Sequence, residues 1–429
     1  MLSLLLVMLF MIALMLIRMP IAFAVGLAGI VGLIVQLGPK PALSVLARTY
    51  YTSSSGFILV AIPLFILMAH LLTAGDVTRR AITACQAWIG HLRGGLAMAA
   101  IAASVLLAAL VGSSTASAAA MGATAFPEMR RHGYSDQLAA AVVSVGGTLA
   151  VMVPPSIVLV VYGVLTETSI GSLFIAGLVP GLLTALGLAA VVKFIAVTTD
   201  QAPKGPPLQL RRAIGESRHI WPISVLIVLV IGAIYGGLAS PTEAAAFGVF
   251  GALLLGVAQR SISFKGFSSA VSAAIASTVM IIAIVACSAI FSNYLAFTRI
   301  THTVLEAVNG SGLPPYAILM LVVLALLLLG MVMDQLAILS LTMPLAFPAI
   351  MALDFDPIWF GIIVTKTVEI GLLTPPLGLN AYVTAGQTKV PLGTVFRGIV
   401  PFIVVDLAIL GILIAFPEIT LFLPSLMKH

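Results

Sequence analysis

Val368–Gly386 reads VEIGLLTPPLGLNAYVTAG. The stretch is apolar enough to lie in a bilayer, yet Pro375 and Pro376 interrupt it near its middle. Each proline removes a backbone donor and clashes with the preceding turn, so a helix cannot pass through the pair unbroken. Gly371 and Gly378 flank the break and relax the backbone further. Within hydrocarbon, the freed carbonyls and amides are tolerated only where protein or a watery cavity meets them. A broken intramembrane helix is therefore expected to line a site, and secondary transporters bind ions and substrate at such breaks.

A second break stands 221 residues earlier, in Val151–Tyr162, VMVPPSIVLVVY, since 375 − 221 = 154 and 376 − 221 = 155. The same ungapped shift pairs Ala116 with Ala337, and Ala125, Phe126 and Pro127 with Ala346, Phe347 and Pro348. It also pairs Gly177 with Gly398, Val179 and Pro180 with Val400 and Pro401, and Pro20 with Pro241. With 24 prolines in the chain, one matched pair would mean nothing. A register shared by Pro20, Pro127, Pro154, Pro155 and Pro180 marks an internal repeat, the weak symmetry typical of transporter folds.

Composition agrees. Of 429 residues, 61% are hydrophobic and 8% charged, which excludes a soluble domain and gives an all-α polytopic membrane protein. The net charge of +6 comes from Lys and Arg scattered through short connections, with no basic–aromatic patch for nucleic acid. They read as orientation signals. Cys85 and Cys287 sit far apart in apolar surroundings and read as packing residues. His70, His91, His132, His219, His302 and His429 form no ligand-spaced pair, so no metal motif is evident. The apolar sequence from Met1 past Arg18 lacks a small-residue cleavage pattern and reads as a first spanning helix.

Leu2–Leu16 and Ile21–Leu37 are apolar runs near bilayer-spanning length, and Ala42–Ser55 is a short interfacial or re-entrant piece. Phe57–Leu72 spans. Ala74–Arg93 carries Val77, Ala81, Ile82, Ala84, Cys85 and Trp88 at helical spacing, beside Asp76, Arg79 and Arg80, and reads as an amphipathic surface helix. Gly94–Leu110 spans again. Gly112–Pro127, GSSTASAAAMGATAFP, is a run of small and hydroxyl residues suited to a tight helical hairpin; a small-residue packing face is the alternative for Ala118–Ala123.

Residues 1–198 form the first repeat, with its hairpin at 112–127 and its broken helix at 137–166. Residues 199–219, rich in Pro, Gly and basic residues, read as a cytoplasmic linker. Residues 220–429 form the second repeat, with a hairpin around 330–348 and a broken helix at 358–386. Within it, SPTE at 240–243 reads as a helix start, with Glu243 at the positive end of the dipole in preference to an ion-ligand role. Asn293–Gly312 is a polar interruption matching the amphipathic piece of the first half. Asp334 follows the span Ala317–Met333. A carboxylate at mid-membrane costs about 2.5–3.5 kcal/mol on insertion scales, which makes Asp334 a functional candidate; the alternative, which Gln335 beside it also fits, is a place at the interface facing water. The shift pairs Asp334 with Ser113, also polar (334 − 221 = 113).

GSSTA at 112–116, PPSI at 154–157, SPTE at 240–243 and GLLTPPLGLN at 371–380 resemble the large membrane (M) subunit of tripartite ATP-independent periplasmic (TRAP) transporters, over essentially the whole chain. The resemblance implies two inverted repeats, each with a re-entrant helical hairpin and a proline-broken helix, working as an elevator in the bacterial inner membrane. It implies Na⁺ as coupling ion and a small organic acid as substrate. It also implies a small membrane (Q) subunit and a periplasmic substrate-binding protein as partners. By position, one Na⁺ site takes Ser113, Ser114 and Thr115 with Ala150, Val153 and Pro155. The other takes Gly330 and Asp334 with Gly371, Thr374 and Leu377. Many of these ligands are backbone carbonyls; the family tends to have glycine where Ala150 stands. Substrate contacts fall between the hairpins, with Ser114, Ser156, Asp334 and Asn380 as candidates.

No nucleotide-binding loop is present, so the reading is secondary active import. Its rivals are H⁺ coupling, with Asp334 as the one good intramembrane carboxylate, and a stand-alone Na⁺- or H⁺-coupled anion symporter without a binding protein. An enzyme is disfavoured, because Asp334 has no intramembrane acidic partner and GSSTA no nearby histidine.

Overall fold

A computed structural model describes residues 2–427 except 18, 74–76, 206, 219, 260–261, 301–302, 304–305, 307–309 and 311. Arg18, Asp76, His219, His302, His429 and much of the interruption expected at 293–312 lie outside the described residues. The described residues fold into helices joined by turns, with no strand among them.

The first half runs α1 (Leu2–Leu16), α2 (Ile21–Leu37), α3 (Pro39–Ser54), α4 (Ala61–Thr73), α5 (Val77–Ile89), α6 (Gly95–Val111), α7 (Ser114–Arg131), α8 (Asp136–Met152), α9 (Ile157–Thr166) and α10 (Ile170–Thr198). A short helix α11 (Leu210–Ser217) lies in the linker. The second half runs α12 (Trp221–Tyr235), α13 (Pro241–Ala258), α14 (Phe264–Thr298), α15 (Pro315–Gly330), α16 (Gln335–Met351), α17 (Pro357–Gly371), α18 (Leu379–Thr388), α19 (Leu392–Ala415) and α20 (Pro417–Ser425).

The 221-residue register carries into these elements. It sets α13 on α2, α15 on α6, α16 on α7 (335 − 221 = 114), α17 on α8 (357 − 221 = 136), α18 on α9 and α19 on α10. Among the described residues the halves differ at the α3–α4 position. Where α3 and α4 are separate, with a 3₁₀ turn at Phe57–Val60 between them, α14 is one 35-residue helix. Asn293 therefore sits inside α14 and not at a break; its Nδ2 donates to Thr49 Oγ1 (3.2 Å) and Ala289 O (3.0 Å). Gly29 and Gly32 of α2 bring α14 close, for a Cβ on Gly32 would meet the Tyr294 ring at 2.5 Å.

Helix starts follow the local chemistry. At α13 the Glu243 amide donates to Ser240 Oγ (3.3 Å), and Glu243 Oε2 accepts from the Ser240 amide (2.7 Å). This is a capping box on an exposed residue, and it accounts for SPTE without an ion. Ser135 caps α8, and Asp356 caps α17 by accepting from Ile358 N (2.8 Å) and Trp359 N (2.9 Å).

The core sits around α8, buried from Leu138 to Met152, and α17, buried from Trp359 to Gly371. Around them pack α6, α7, α10, α15 and α19. Farther out, α2 packs on α14 and α4 on α13, with Phe247, Phe250, Leu254 and Val257 exposed along α13 as a lipid-facing surface requires. The α5 helix fits the amphipathic reading. Arg80 Nη1 donates to Gln259 Oε1 (2.8 Å) and Trp88 Nε1 to Ser217 Oγ (2.8 Å), so polar connections tie it down at both ends.

The sequence reading placed a hairpin within 112–127 and another around 330–348. Each stretch is a tip followed by a single helix, α7 or α16. The hairpins are larger: α6 with α7, and α15 with α16, so that Gly94–Leu110 and Ala317–Met333 supply first arms. Helical propensity across the Ala-rich run after Ser114 explains why the turn is confined to Gly112 and Ser113.

Candidate transport site

Each break is met by a hairpin tip from its own half. The Gly112 backbone, at φ +59, turns α6 into α7, and a Cβ there would lie 3.3 Å from Pro155 O. In the second half Met331–Asp334 form the tip, and Leu377 N donates to Met331 O (3.3 Å). Gly330 and Gly371 touch backbone to backbone; a Cβ on Gly371 would lie 2.6 Å from Gly330 Cα. The Pro154–Pro155 and Pro375–Pro376 bonds are both cis. The two breaks differ in cover. Val153, Pro154, Pro155 and Ser156 are buried, with Ile62, Phe65 and Ile66 of α4 over them, whereas Pro375, Pro376 and Leu377 are exposed.

Between the two tips lies a cavity of about 500 Å³. Ser113 and Thr115 line it from the first tip, Asp334 and Gln335 from the second, and Leu372 and Leu379 from either side of the second break. Its far wall comes from the start of α2, at Pro20 and Phe23, and from Met280, Ala283 and Ile284 of α14. The Ser113 and Thr115 hydroxyls lie 3.4 Å apart. Asp334 is exposed to this cavity and also caps α16, its Oδ1 accepting from Leu336 N (3.0 Å) and Ala337 N (3.2 Å). Gln335, unassigned from sequence, lines the cavity with a buried Oε1 that has no partner among the described residues. Its position beside Asp334 was the available signal. At the starts of α7 and α18 no side chain caps the free amides.

The other proposed residues are placed as follows. Ser114 and Asn380 are fully buried and bonded to each other, Asn380 Nδ2 donating to Ser114 Oγ and also to Ser144 O (3.4 Å). Ser144 Oγ in turn donates to Thr384 Oγ1 (2.8 Å). This network clamps the first hairpin to α18, and neither Ser114 nor Asn380 lines the cavity. Ser156 is buried and caps α9 by accepting from Leu159 N (3.4 Å), beside the first break. Ala150 and Val153 are buried, with Val153 against Gly181 of α10. Thr374 Oγ1 donates to Ile370 O (2.7 Å). Gly330, Gly371 and Leu377 come together at the second tip, while Asp334 turns towards the cavity.

Asp334 is not the one intramembrane carboxylate. Glu369 on α17 and Asp406 on α19 are both fully buried. Lys366 Nζ lies between them, 2.7 Å from Asp406 Oδ1 and 3.4 Å from Glu369 Oε1. The pattern Lys366–Glu369, three apart in an apolar helix, was visible in the sequence; the pairing with Asp406, 40 residues on, was not.

The donors at the tips are hydroxyl, carboxylate and carbonyl oxygens, a hard set that suits an alkali cation. Among the described residues there is no group of three or more His, Cys, Asp or Glu to hold a transition metal.

Among the described residues five helical stretches, counting α8 and α9 as one, are long and apolar enough to cross a membrane, and shorter apolar helices accompany them. Together with paired hairpins, broken helices and, at their meeting point, a largely apolar cavity that holds Ser113, Thr115, Asp334 and Gln335, they define the class: a polytopic membrane transporter. The architecture is similar to the crystal structure of the Alcanivorax borkumensis YdaH transporter, with a TM-score of 0.61 at 14% identity over 89% of each chain. The chain belongs to the family described as "Tripartite ATP-independent periplasmic transporter, DctM component", whose profile matches residues 8–419. It is 38% identical to the C4-dicarboxylate TRAP transporter large permease protein DctM of Pseudomonas aeruginosa, over 94% of each. It is 34% identical to the isethionate TRAP transporter permease protein DctMQ of Oleidesulfovibrio alaskensis, over 94% of this chain and 63% of that longer one. The chain is thus a TRAP large permease, a multi-pass inner-membrane protein and not an enzyme.

Proposed function

We propose that this chain carries out Na⁺-coupled import of a small organic anion handed over by a periplasmic binding protein. The observation that carries the reading is the cavity of about 500 Å³ between the two hairpin tips, where oxygen donors and uncapped helix starts converge. The amide ends of α7 and α18 present partial positive charge, suited to a carboxylate or sulfonate. Ser113, Thr115 and Asp334 supply oxygens on the same surface, suited to cotransported Na⁺, with the Gly330–Gly371 contact shaping the second position. Relatives named for C4-dicarboxylate and isethionate support a small anion.

The cavity is shared between the tips and the outer helices α2 and α14. Sliding of the hairpins and breaks along that wall, as an elevator of two inverted repeats, would carry the cavity across the membrane. The buried first break and exposed second break support a structure open on one side. A separate small membrane subunit is supported by the extra length and compound name of the DctMQ relative.

The test is uptake in proteoliposomes containing this chain with its small subunit, against a panel of organic anions. Na⁺ gradient and binding protein are each supplied or withheld. Uptake that needs both supports the proposal. Uptake with Na⁺ alone makes the chain a stand-alone symporter, and proton-driven uptake indifferent to Na⁺ refutes the ion assignment.

A further inference from the structure

The buried cluster on α17 and α19 carries one positive and two negative groups, Lys366, Glu369 and Asp406, all with no exposed surface. Fully ionised, it bears one excess negative charge in the protein interior. Such a charge is strongly unfavourable unless another charge offsets it. Asp406 has the short contact to Lys366. Beyond the 3.4 Å ion pair with Lys366, the Glu369 carboxylate accepts no hydrogen bond among the described residues. Facing it from α8 is Thr148, whose hydroxyl donates to Val145 O (2.8 Å).

Thr148 and Glu369 are equivalent positions of the repeat, since 369 − 221 = 148. They face each other across the junction of α8 and α17, the helices that end in the two breaks. Thr148 precedes Ala150 by two residues, and Glu369 precedes Gly371 by two. Glu369 therefore lies where the halves meet, two helical residues before Gly371 and against Thr148, which stands two before Ala150.

We propose that Glu369 is a shared counter-charge for the two cation positions, with Lys366 and Asp406 setting the net charge of its cluster. The inference rests on the Na⁺ reading above. Glu369 is a positioning residue, acting through its field and not as a ligand. A cation at a break offsets the excess negative charge, so binding is stronger than the oxygens at the tips alone provide. One carboxylate at the junction serves both halves, which is why the equivalent first-half position needs no acid.

The test is direct binding of radioactive Na⁺ to the full chain with its small subunit in lipid nanodiscs, without substrate. Glu369→Gln is expected to weaken Na⁺ binding at least tenfold, the effect of a unit charge within roughly 12 Å at an effective dielectric constant of about 20. The whole isotherm is expected to move. Glu369→Asp, which keeps the charge, is expected to recover most of the affinity, as a purely structural role would not. Asp406→Asn leaves a neutral Lys366–Glu369 pair and is expected to weaken binding in the same direction; it carries the test if Glu369→Gln does not fold. Affinity unchanged within twofold in a folded Glu369→Gln or Asp406→Asn protein overturns the proposal. So does an isotherm split into one unchanged and one weakened component. Absence of Na⁺ binding to the wild-type protein is a different failure, for it removes the Na⁺ reading itself.

Discussion

Adding one methyl group at Gly371 should cripple the second ion position. In Gly371→Ala the new Cβ would stand 2.6 Å from Gly330 Cα, 2.8 Å from Gly330 C and 3.1 Å from Leu327 O. All three are backbone atoms, so no side chain can swing aside and α15 must move away from α17. Overpacking of this kind costs typically about 1–3 kcal/mol. Because about 1.4 kcal/mol is a factor of ten in an equilibrium, the population with the tip closed on the break should fall roughly five- to 150-fold. The expected readout is a rise of about tenfold or more in the Na⁺ concentration that half-saturates uptake, with maximal uptake reached only at high Na⁺. Gly411→Ala, in α19, meets nothing within 4 Å and serves as the control, with wild-type Na⁺ dependence. Wild-type Na⁺ dependence and thermal stability in Gly371→Ala would refute the view that this backbone contact builds the site.

Further outcomes follow from the same geometry. Asp334→Asn keeps a competent helix cap, since asparagine caps about as well as aspartate; the protein should fold with near-normal melting but show weakened Na⁺ dependence of uptake. Asn380→Leu strands the buried Ser114 hydroxyl and removes the clamp on α18, costing about 1–3 kcal/mol; both melting temperature and uptake should fall. Cys85, on the surface helix α5, has its thiol pushed up to about 11 by burial. The reactive thiolate is then scarce at neutral pH, so maleimide labelling of Cys85 should be slow at pH 7 and accelerate above pH 9, checked by mass spectrometry.

Much of the fold was legible because it is written in local chemistry. Proline pairs mark breaks wherever they fall, and the common offset of 221 aligned five later helix pairs around them. Ser240 with Glu243 announced a helix start that the structure builds as a capping box. The hairpins were misplaced for a physical reason. Small residues permit close packing, but they do not by themselves turn a chain, and the positive-φ Gly112 does. Similarly, a polar residue type does not by itself tell whether the side chain meets water or another side chain. Ser114 and Asn380, 266 residues apart, bond to each other away from the cavity, with Asn380 Oδ1 left without a partner among the described residues, while Gln335 lines the cavity. Lys366 was overlooked because its partner on α19 is close only after folding.

The uncapped starts of α7 and α18 have a consequence for what the cavity holds between transport cycles. Asn380 N at α18 already donates to Leu372 O (3.1 Å), but the first-turn amides left without a partner complete their hydrogen bonds with water when no solute is there. A hydrocarbon of fitting volume would have to strip that water and return no acceptor, at a cost of about 1–3 kcal/mol for each amide left bare. An oxyanion replaces the water bond for bond. The helix ends thus favour an oxyanion over an apolar solute at one wall of an otherwise largely apolar cavity, before any side chain contributes to recognition.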